Sequence, residues 1–337
     1  MLQRDNLNNL VRGATFFQHS GIAITFVFMP IIASLVAKSV FEIGIIVASF
    51  AFAQILTETY FGRMSDRKAK RLLFIRVGFI LCAITFGLHY FADNTTYLII
   101  ARLGAGIVAA GLANDEKLIF IVSSCFFIIG FIISLRLPKI QTEKIVEKGI
   151  IKKIIVKNKF LFSSLLIRHI GAAAAWTVLP IMLMEYFGAE LYQVSMVYVA
   201  NTLTAFLVMN LMSKRIQIQN ITKFKIGIGM TVIVFVGLAL ITDWWMACPF
   251  MAIVGCSWAF LFIGGNFHLM ENNPRSTSTA IFSSTLAIST VIGPVIAGSI
   301  AYYTDYTSVM IFAIIVTLTA FIISTKMKSE KPNEVPI

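Results

Sequence analysis

The feature that most constrains this chain is a series of long apolar runs separated by short polar segments. A run of about 20 apolar residues is long enough to cross the hydrocarbon core of a bilayer as a helix. Because the runs lack the alternation of barrel strands, they predict helices. The runs lie at 14–37, 41–61, 72–91, 97–113, 117–136, 160–184, 191–212, 224–242, 246–267, 277–302 and 306–325.

Composition excludes an ordinary water-soluble domain. Of the 337 residues, 58% are hydrophobic and only 13% are charged, and the mean hydropathy is +0.85. A soluble protein has about a quarter of its residues charged. The sequence therefore predicts an all-α, polytopic transmembrane helix bundle with about 11 spans.

The basic residues are concentrated on one predicted side of the membrane. The net charge is +12, and 23 of the 28 Lys and Arg residues fall near the amino terminus, in alternate loops or in the tail. The loops at 92–96, 185–190, 243–245 and 303–305 contain none. Cytoplasmic loops carry such an excess. We therefore expect a multi-pass protein of the cell (plasma) membrane with a cytoplasmic amino terminus, and no nucleic-acid binding.

A long basic segment divides the chain into two hydrophobic halves. The predicted domains are an amino-terminal bundle at 1–136 with five spans, a cytoplasmic linker at 137–159, a six-helix bundle at 160–326 and a polar tail at 327–337. The Ile-Lys pattern between Lys148 and Lys159 is consistent with an amphipathic helix on the membrane surface or with a solvated linker.

No residue pattern indicates an enzyme, a cofactor or a metal site. The chain has no phosphate-binding Gly-rich loop with lysine, no His-Glu-x-x-His and no Gly-x-Ser-x-Gly. The four cysteines, Cys82, Cys125, Cys248 and Cys256, lie inside apolar runs without metal-ligand spacing. We therefore expect a protein that is not an enzyme and that needs no cofactor.

A charged motif follows the second apolar run. It reads Gly62-Arg-Met-Ser-Asp66-Arg67-Lys-Ala-Lys70-Arg71 and resembles the signature Gly-x-x-x-Asp-Arg-x-x-Arg/Lys-Arg/Lys of the major facilitator superfamily. Glycine lets two helices approach closely, and a carboxylate suits the positive end of the next helix. The resemblance implies that Gly62, Asp66, Arg67, Lys70 and Arg71 form a gate between helices two and three. The alternative is a basic turn without a specific role.

Other segments are similar to the same family along the whole chain. They are Arg102-x-x-x-Gly106-x-x-x-Ala110, Asn273-Pro274-Arg275-Ser276 and the small-residue run from Gly293 to Gly298. The resemblance implies two pseudo-symmetric halves that rock around a site near the midplane, giving alternating access.

The family plan has twelve helices, and the amino-terminal half supplies only five. The run from Gly106 to Gly111 resembles the run from Gly293 to Gly298, so 97–113 begins like a fourth helix and ends like a fifth. We infer an internal deletion across helices four and five. Three spans then lie between two basic loops that should both be cytoplasmic. Two loops on the same side of the membrane must be separated by an even number of spans. Either 97–113 enters and leaves on one side, or 136–159 lies outside, or the sequence is a damaged copy.

The resemblance implies a secondary active transporter of small organic molecules. Short loops are more typical of the drug- and metabolite-efflux branch, with proton-coupled antiport, than of the sugar branch. The expected partners are a small-molecule substrate, the lipid bilayer and protons. The alternatives are a transport-deficient remnant or membrane scaffold that keeps the fold, and an uncoupled facilitator.

Ionisable residues inside the predicted spans are candidates for substrate contact or coupling, because burying them in lipid is costly. Arg102, Arg168 and His169 are candidate contacts for an anionic or polar group, although Arg168 could instead reach back to the membrane interface. His19 is either a titrating group or a packing residue. Glu58 is either the coupling-proton carrier or a partner of the loop cations.

Aromatic and amide residues complete the predicted cavity. They fall in helices that face the central cavity in the family, and they suit an amphiphilic organic molecule. The alternative for each is ordinary packing. These candidates are Trp176, Asn201, Trp258 and Asn266.

Overall fold

The protein consists of helices joined by short turns in the part of the chain that the structure describes. This computed structural model describes residues 29–53, 71–89, 94–108, 118–136, 149–214, 218–271, 273 and 275–327. Over these ranges every regular element is a helix, which confirms the all-α prediction. The chain separates into two compact units, 1–147 and 148–337. The division falls inside the segment that the sequence predicts as the linker.

The first unit contains five described helical segments. They are α1 (29–36), α2 (Val40–Ala53), α3 (Arg71–His89), α4 (Thr95–Val108) and α5 (Leu118–Leu135). Helix α3 packs against both α4 and α5. The ring of Phe127 on α5 lies 6.1 Å from that of Phe79 and 5.6 Å from that of Phe86. Arg76 donates from Nη2 to the carbonyl of Leu135 at 2.9 Å, so α3 satisfies a free carbonyl at the end of α5.

The second unit contains seven α-helices and a short 3₁₀ turn in its described part. They are α6 (Ile150–Lys157), α7 (Lys159–Phe187), α8 (Leu191–Lys214), α9 (Asn220–Ala239), the 3₁₀ turn Trp244–Met246, α10 (Ala247–Glu271), α11 (Arg275–Tyr303) and α12 (Tyr306–Thr325). Helices α7 to α12 are each long and apolar enough to cross a membrane. Their ends lie within four residues of the six spans predicted for this half.

Glycines let the helices of the second unit approach closely. A Cβ atom on Gly227 of α9 would lie 2.6 Å from the backbone nitrogen of Leu261 and 2.7 Å from the carbonyl oxygen of Ser257, both on α10. A Cβ atom on Gly293 of α11 would lie 2.7 Å from the Cβ atom of Ala173 on α7. Helices in lipid gain little from hydrophobic association, so this van der Waals contact between backbones holds the unit together.

The helix ends opposite the basic loops are closed by local hydrogen bonds. Gly188 ends α7 in the left-handed region, at φ 62°, and the next residue, Ala189, donates its N–H to the carbonyl of Leu183 at 3.0 Å. Asp305 caps α12 by accepting the N–H of Ser308 on Oδ1 at 2.6 Å. This backbone hydrogen bond from Ser308 lowers the pKa of the Asp305 carboxyl below its usual value.

The second unit begins with the short helix α6. Ile154 is 1% exposed and belongs to a buried cluster with Leu161 and Phe162 of α7. A helix therefore forms where the Ile-Lys pattern suggested one, and one side of it packs on the second unit. The internal deletion remains a hypothesis, because 109–117 lie outside the described residues.

Candidate functional site

Arg168 lies in the interior of the second unit, about a third of the way along α7. Its side chain is only 2% exposed. The guanidinium donates to the hydroxyl of Thr231 on α9 from Nε at 3.1 Å and from Nη2 at 2.9 Å. Its Nη1 lies 3.2 Å from Nδ1 of His169. These contacts hold the arginine inside the helix bundle of the second unit.

A chain of hydroxyl groups continues from Arg168 to α10. The hydroxyl of Thr231 lies 2.7 Å from that of Ser257, and Ser257 Oγ lies 2.7 Å from the carbonyl oxygen of Gly227. If Thr231 donates to Ser257 and Ser257 donates to Gly227, every hydroxyl proton has an acceptor and Thr231 keeps its lone pairs for the arginine. Three helices, α7, α9 and α10, are thus joined by one buried polar network.

The positive charge of Arg168 has no acidic partner in the described part of the chain. Its partners there are a hydroxyl and an imidazole, and no carboxylate forms an ion pair with it. A buried charge is normally paired, because neutral partners do not repay the full cost of removing it from water. Among the described residues, Arg168 is therefore a buried cation without a carboxylate partner, and such a group suits an anionic or strongly polar ligand group.

Aromatic rings extend from the arginine along α10. The ring of His169 lies 5.8 Å from that of Trp258, and Trp258 lies 5.4 Å from Phe262. Phe262 in turn meets Phe282 of α11 edge to face at 5.8 Å. The structure therefore brings together three of the predicted candidates, Arg168, His169 and Trp258. A cation lies at one end of this arrangement and a series of aromatic surfaces follows it.

The other predicted candidates of the second unit have separate surroundings. Trp176 packs its ring 5.5 Å from Phe235 of α9. Asn266 donates from Nδ2 to the carbonyl of Phe262 at 3.1 Å, and its buried Oδ1 accepts no hydrogen bond in the described part of the chain. The backbone of Asn201 lies against Gly255, where α8 and α10 approach closely. No hydrogen bond or ring contact joins Trp176, Asn201 or Asn266 to Arg168 among the described residues.

Arg102 lies in the first unit and has a different set of partners. It donates from Nε to the carbonyl of Ile46 at 3.4 Å and from Nη2 to the carbonyl of Val47 at 3.2 Å. Its guanidinium carbon also lies 4.7 Å from the centre of the Phe50 ring. All three partners belong to α2, so this arginine holds α4 against α2.

The remaining candidates lie outside the described residues. These are His19, the proposed proton carrier Glu58, and Gly62, Asp66, Arg67 and Lys70 of the charged motif. Arg71 begins α3, but its side chain is not among those described. The gating motif and the coupling group therefore remain predictions.

Sequence reasoning missed the partners of Arg168. Thr231 and Ser257 are single hydroxyl residues in apolar runs, and such residues are common in membrane helices. A helpful signal was available, since Gly227 lies one turn before Thr231 and marks a close helix contact. Sequence reasoning also missed the bond from the Tyr306 hydroxyl on α12 to Oε2 of Glu185 on α7, at 2.9 Å.

Comparison with known proteins identifies the fold. The "Crystal structure of nucleoside transporter NupG" matches with a TM-score of 0.68 and 14% identity, covering 95% of this chain and 100% of that one. A variant of NupG with one aspartate changed to alanine matches with a TM-score of 0.65 and 13% identity, covering 95% of this chain and 99% of that one. Identity this low shows a shared fold. No curated protein sequence matches the chain.

A family model matches part of the sequence. Residues 13–114 match the Major Facilitator Superfamily model, and this range includes the charged motif at 62–71 and the buried Arg102. The fold that the chain shares with NupG covers 95% of the chain and so includes residues of both units. Residues 13–114 are therefore similar to the Major Facilitator Superfamily, and the chain shares the all-helical fold of NupG.

Proposed function

We propose that the chain is a secondary transporter that moves small organic molecules by alternating access, and that the substrate contacts Arg168, His169 and Trp258. The observation that carries the proposal is the buried guanidinium of Arg168, whose partners among the described residues are neutral groups. An ionisable side chain inside a membrane protein is costly to bury, and such a residue therefore points to a functional role.

The neighbouring rings indicate the kind of substrate. His169 and Trp258 are only partly buried, unlike Arg168 and Ser257. Aromatic surfaces beside a few polar groups are typical of sites for organic ligands. The expected substrate therefore has an anionic or strongly polar group for Arg168 and a planar ring that stacks on Trp258.

A nucleoside is one substrate that fits this description, having a planar base and a polar ribose. NupG, whose fold the chain shares, is a nucleoside transporter. Nucleosides therefore belong in the first group of compounds to test, beside anionic aromatic compounds.

For direction and coupling, we propose efflux by exchange with protons, across the plasma membrane and with the amino terminus in the cytoplasm. The support is the short loops and the distribution of Lys and Arg along the sequence. The charged motif supplies the proposed gate, so Asp66→Asn is expected to keep expression and to reduce transport sharply.

The test uses the full chain in proteoliposomes and measures uptake of radiolabelled nucleosides, anionic aromatic compounds and neutral analogues, with and without a proton gradient. For a transported anionic or polar compound, Arg168→Gln should raise the apparent KM about tenfold or more, the equivalent of at least about 1.4 kcal/mol. Arg168→Lys keeps the charge but lacks the planar set of N–H donors. Its apparent KM should therefore lie between those of the unchanged protein and Arg168→Gln. The matched control is Lys326→Gln, an exposed cation of the same unit.

An unchanged KM in Arg168→Gln would remove Arg168 from the substrate site. If the proton gradient does not change the rate of uptake, the protein is an uncoupled facilitator and not a proton antiporter. If folded protein transports no compound from a broad panel, the remnant or scaffold interpretation is the better one.

A further inference from the structure

The contact between Arg168 and His169 determines which nitrogen of the imidazole carries the proton. Nη1 of Arg168 lies 3.2 Å from Nδ1 of His169. A guanidinium has only N–H donors, so the ring nitrogen that faces it must be the acceptor. Nδ1 of His169 therefore carries no proton, and the ring proton of this tautomer lies on Nε2.

The Nε2–H group of His169 is a donor that remains available to a ligand. No hydrogen bond occupies this nitrogen among the described residues, and His169 is only partly buried, whereas Arg168 is 2% exposed. The imidazole ring also lies 5.8 Å from the ring of Trp258. The contacts with Arg168 and Trp258 together fix the direction in which the Nε2–H bond points.

The hydroxyl groups beside Arg168 offer no acceptor to a ligand. Oγ1 of Thr231 accepts from both Nε and Nη2 of Arg168, which uses its lone pairs. Oγ of Ser257 is fully buried and donates to the carbonyl of Gly227 at 2.7 Å. The indole nitrogen of Trp258 can only donate. Among the described residues, the side-chain groups around His169 at this end of the site are therefore donors.

The charge of Arg168 strengthens this preference. A hydrogen bond from a cation to Nδ1 polarises the imidazole, and this makes Nε2–H a stronger donor. An ionised carboxylate has only acceptor oxygens, so it can use this donor and is attracted by the guanidinium. An ammonium group has only donors and is repelled by the same charge.

We propose that His169 donates from Nε2 to the substrate, that Arg168 positions this donor by holding the tautomer, and that the pair selects planar substrates with a carboxylate over those with an ammonium group. This assignment rests on the substrate site proposed above and adds the chemical class that the site accepts. Arg168 then acts on the substrate through His169 as well as through its charge.

The first experiment determines the tautomer without any substrate. The full chain, with ¹⁵N-labelled histidine, is reconstituted in lipid and studied by NMR, which distinguishes a protonated ring nitrogen from an unprotonated one. We expect an unprotonated Nδ1 and a protonated Nε2 for His169, whose signals are identified by their loss in His169→Gln. His89 is the internal reference, because its Nδ1 lies 3.0 Å from the carbonyl oxygen of Thr85 and must donate to it.

A variant of Arg168 tests the positioning role. Arg168→Met removes the donor that faces Nδ1, so His169 should become a mixture of the two tautomers. A residue with a purely structural role would leave the tautomer unchanged. If Arg168→Met does not fold, the signals of His169 in the unchanged protein decide whether the tautomer is the expected one.

The second experiment measures the binding of radiolabelled indoleacetate, indoleacetamide and tryptamine to the purified full chain by scintillation proximity. These compounds share a planar ring and differ in their polar end. Indoleacetate should bind at least about tenfold more tightly than tryptamine, because a hydrogen bond to a charged group contributes about this factor. Indoleacetamide, which has both a donor and an acceptor, should lie between them.

Two variants of His169 separate its two nitrogens. His169→Asn keeps an acceptor near the position of Nδ1 but has no donor at the position of Nε2, so its affinity for indoleacetate should fall about tenfold. His169→Gln can place either its nitrogen or its oxygen near the position of Nε2, so it should discriminate less against tryptamine. The matched control is His268→Gln, since His268 contacts Glu271 at 3.5 Å and lies outside the site.

A proton on Nδ1 of His169 would overturn the assignment, whether or not the chain transports any compound. Tryptamine that binds as tightly as indoleacetate would also overturn it, as would an unchanged affinity for indoleacetate in His169→Asn. If none of the indole compounds binds although the tautomer is the expected one, the proposed selectivity is wrong. Uptake of another compound from the transport panel would in that case still support the proposed function.

Discussion

The guanidinium of Arg168 on α7 and the hydroxyl of Thr231 on α9 are joined by two hydrogen bonds, at 3.1 and 2.9 Å, although 63 residues separate them in sequence. The same hydroxyl lies 2.7 Å from Ser257 on α10. One side-chain oxygen thus orients the buried arginine and connects three helices. Thr231 should therefore matter for stability as well as for the direction in which Arg168 points.

Removing this hydroxyl should destabilise the second unit. Thr231→Val leaves two donors of a buried arginine without an acceptor, and a hydrogen bond to a charged group contributes about 1.5–3 kcal/mol. We expect a clear loss of thermal stability in detergent, measured on purified protein. The matched control is Thr290→Val, whose hydroxyl donates within its own helix, to the carbonyl of Ala287 at 2.8 Å. Equal melting temperatures for the two variants would contradict the assigned role.

The close approach of α9 and α10 should make Gly227 intolerant of a side chain. Gly227→Ala forces its methyl group against the backbone of Leu261 and Ser257, which cannot move aside as a flexible side chain can. Overpacking of this kind costs about 1–3 kcal/mol. Gly87→Ala on α3 is the control, because a Cβ atom there would meet nothing within 4 Å. The control should be neutral or slightly stabilising, since alanine favours helix. Thermal unfolding of both variants tests the contrast.

Arg102 should behave as a structural residue, unlike Arg168. Arg102→Lys cannot reproduce the contacts with two carbonyls and the Phe50 ring together, and the expected loss of stability is about 1–2 kcal/mol. The control is Arg136→Lys, at an exposed position. For any transported compound, Arg102→Lys should leave the KM nearly unchanged, whereas Arg168→Lys should raise it. A KM that rises in both variants would place Arg102 in the substrate site as well.

The cap at the start of α12 should give the stability a dependence on pH. The folded protein lowers the pKa of Asp305 through the bond from the Ser308 N–H, so folding favours the ionised carboxylate. The contribution is therefore fully present above the unfolded pKa of about 3.9 and is lost as the pH falls through the lower folded value. Asp305→Ala should cost about 0.5–2 kcal/mol at pH 7.

The control for the cap is Asp305→Asn, which accepts the same bond without titrating. Its melting temperature should match that of the unchanged protein at pH 7, and it should lack this residue's share of the acid destabilisation. If the unchanged protein and Asp305→Asn lose the same stability between pH 6 and pH 3, the carboxylate of Asp305 is not responsible.

The sequence by itself determined the class of structure and the positions of the helices in the second unit. The six spans predicted there coincide with α7 to α12 to within four residues at each end. This worked because lipid offers no hydrogen-bond partners, so a segment that crosses it must satisfy its own backbone and must be long and apolar enough to do so. Both requirements apply to a single segment, so a run of consecutive residues in the sequence shows whether they are met.

Only the tertiary structure decided which groups each buried arginine contacts. In sequence, Arg102 and Arg168 are alike, each a single cation in an apolar run. In the fold, Arg102 binds carbonyls of α2, some 56 residues before it, while Arg168 binds the Thr231 hydroxyl of α9 and lies beside His169 and Trp258. The partner of a buried charge is chosen by which helices pack together, and that choice depends on glycines and ring contacts distributed along the chain. The hydropathy of the sequence shows that a charge in an apolar run is costly to bury, but it does not show which group that charge contacts.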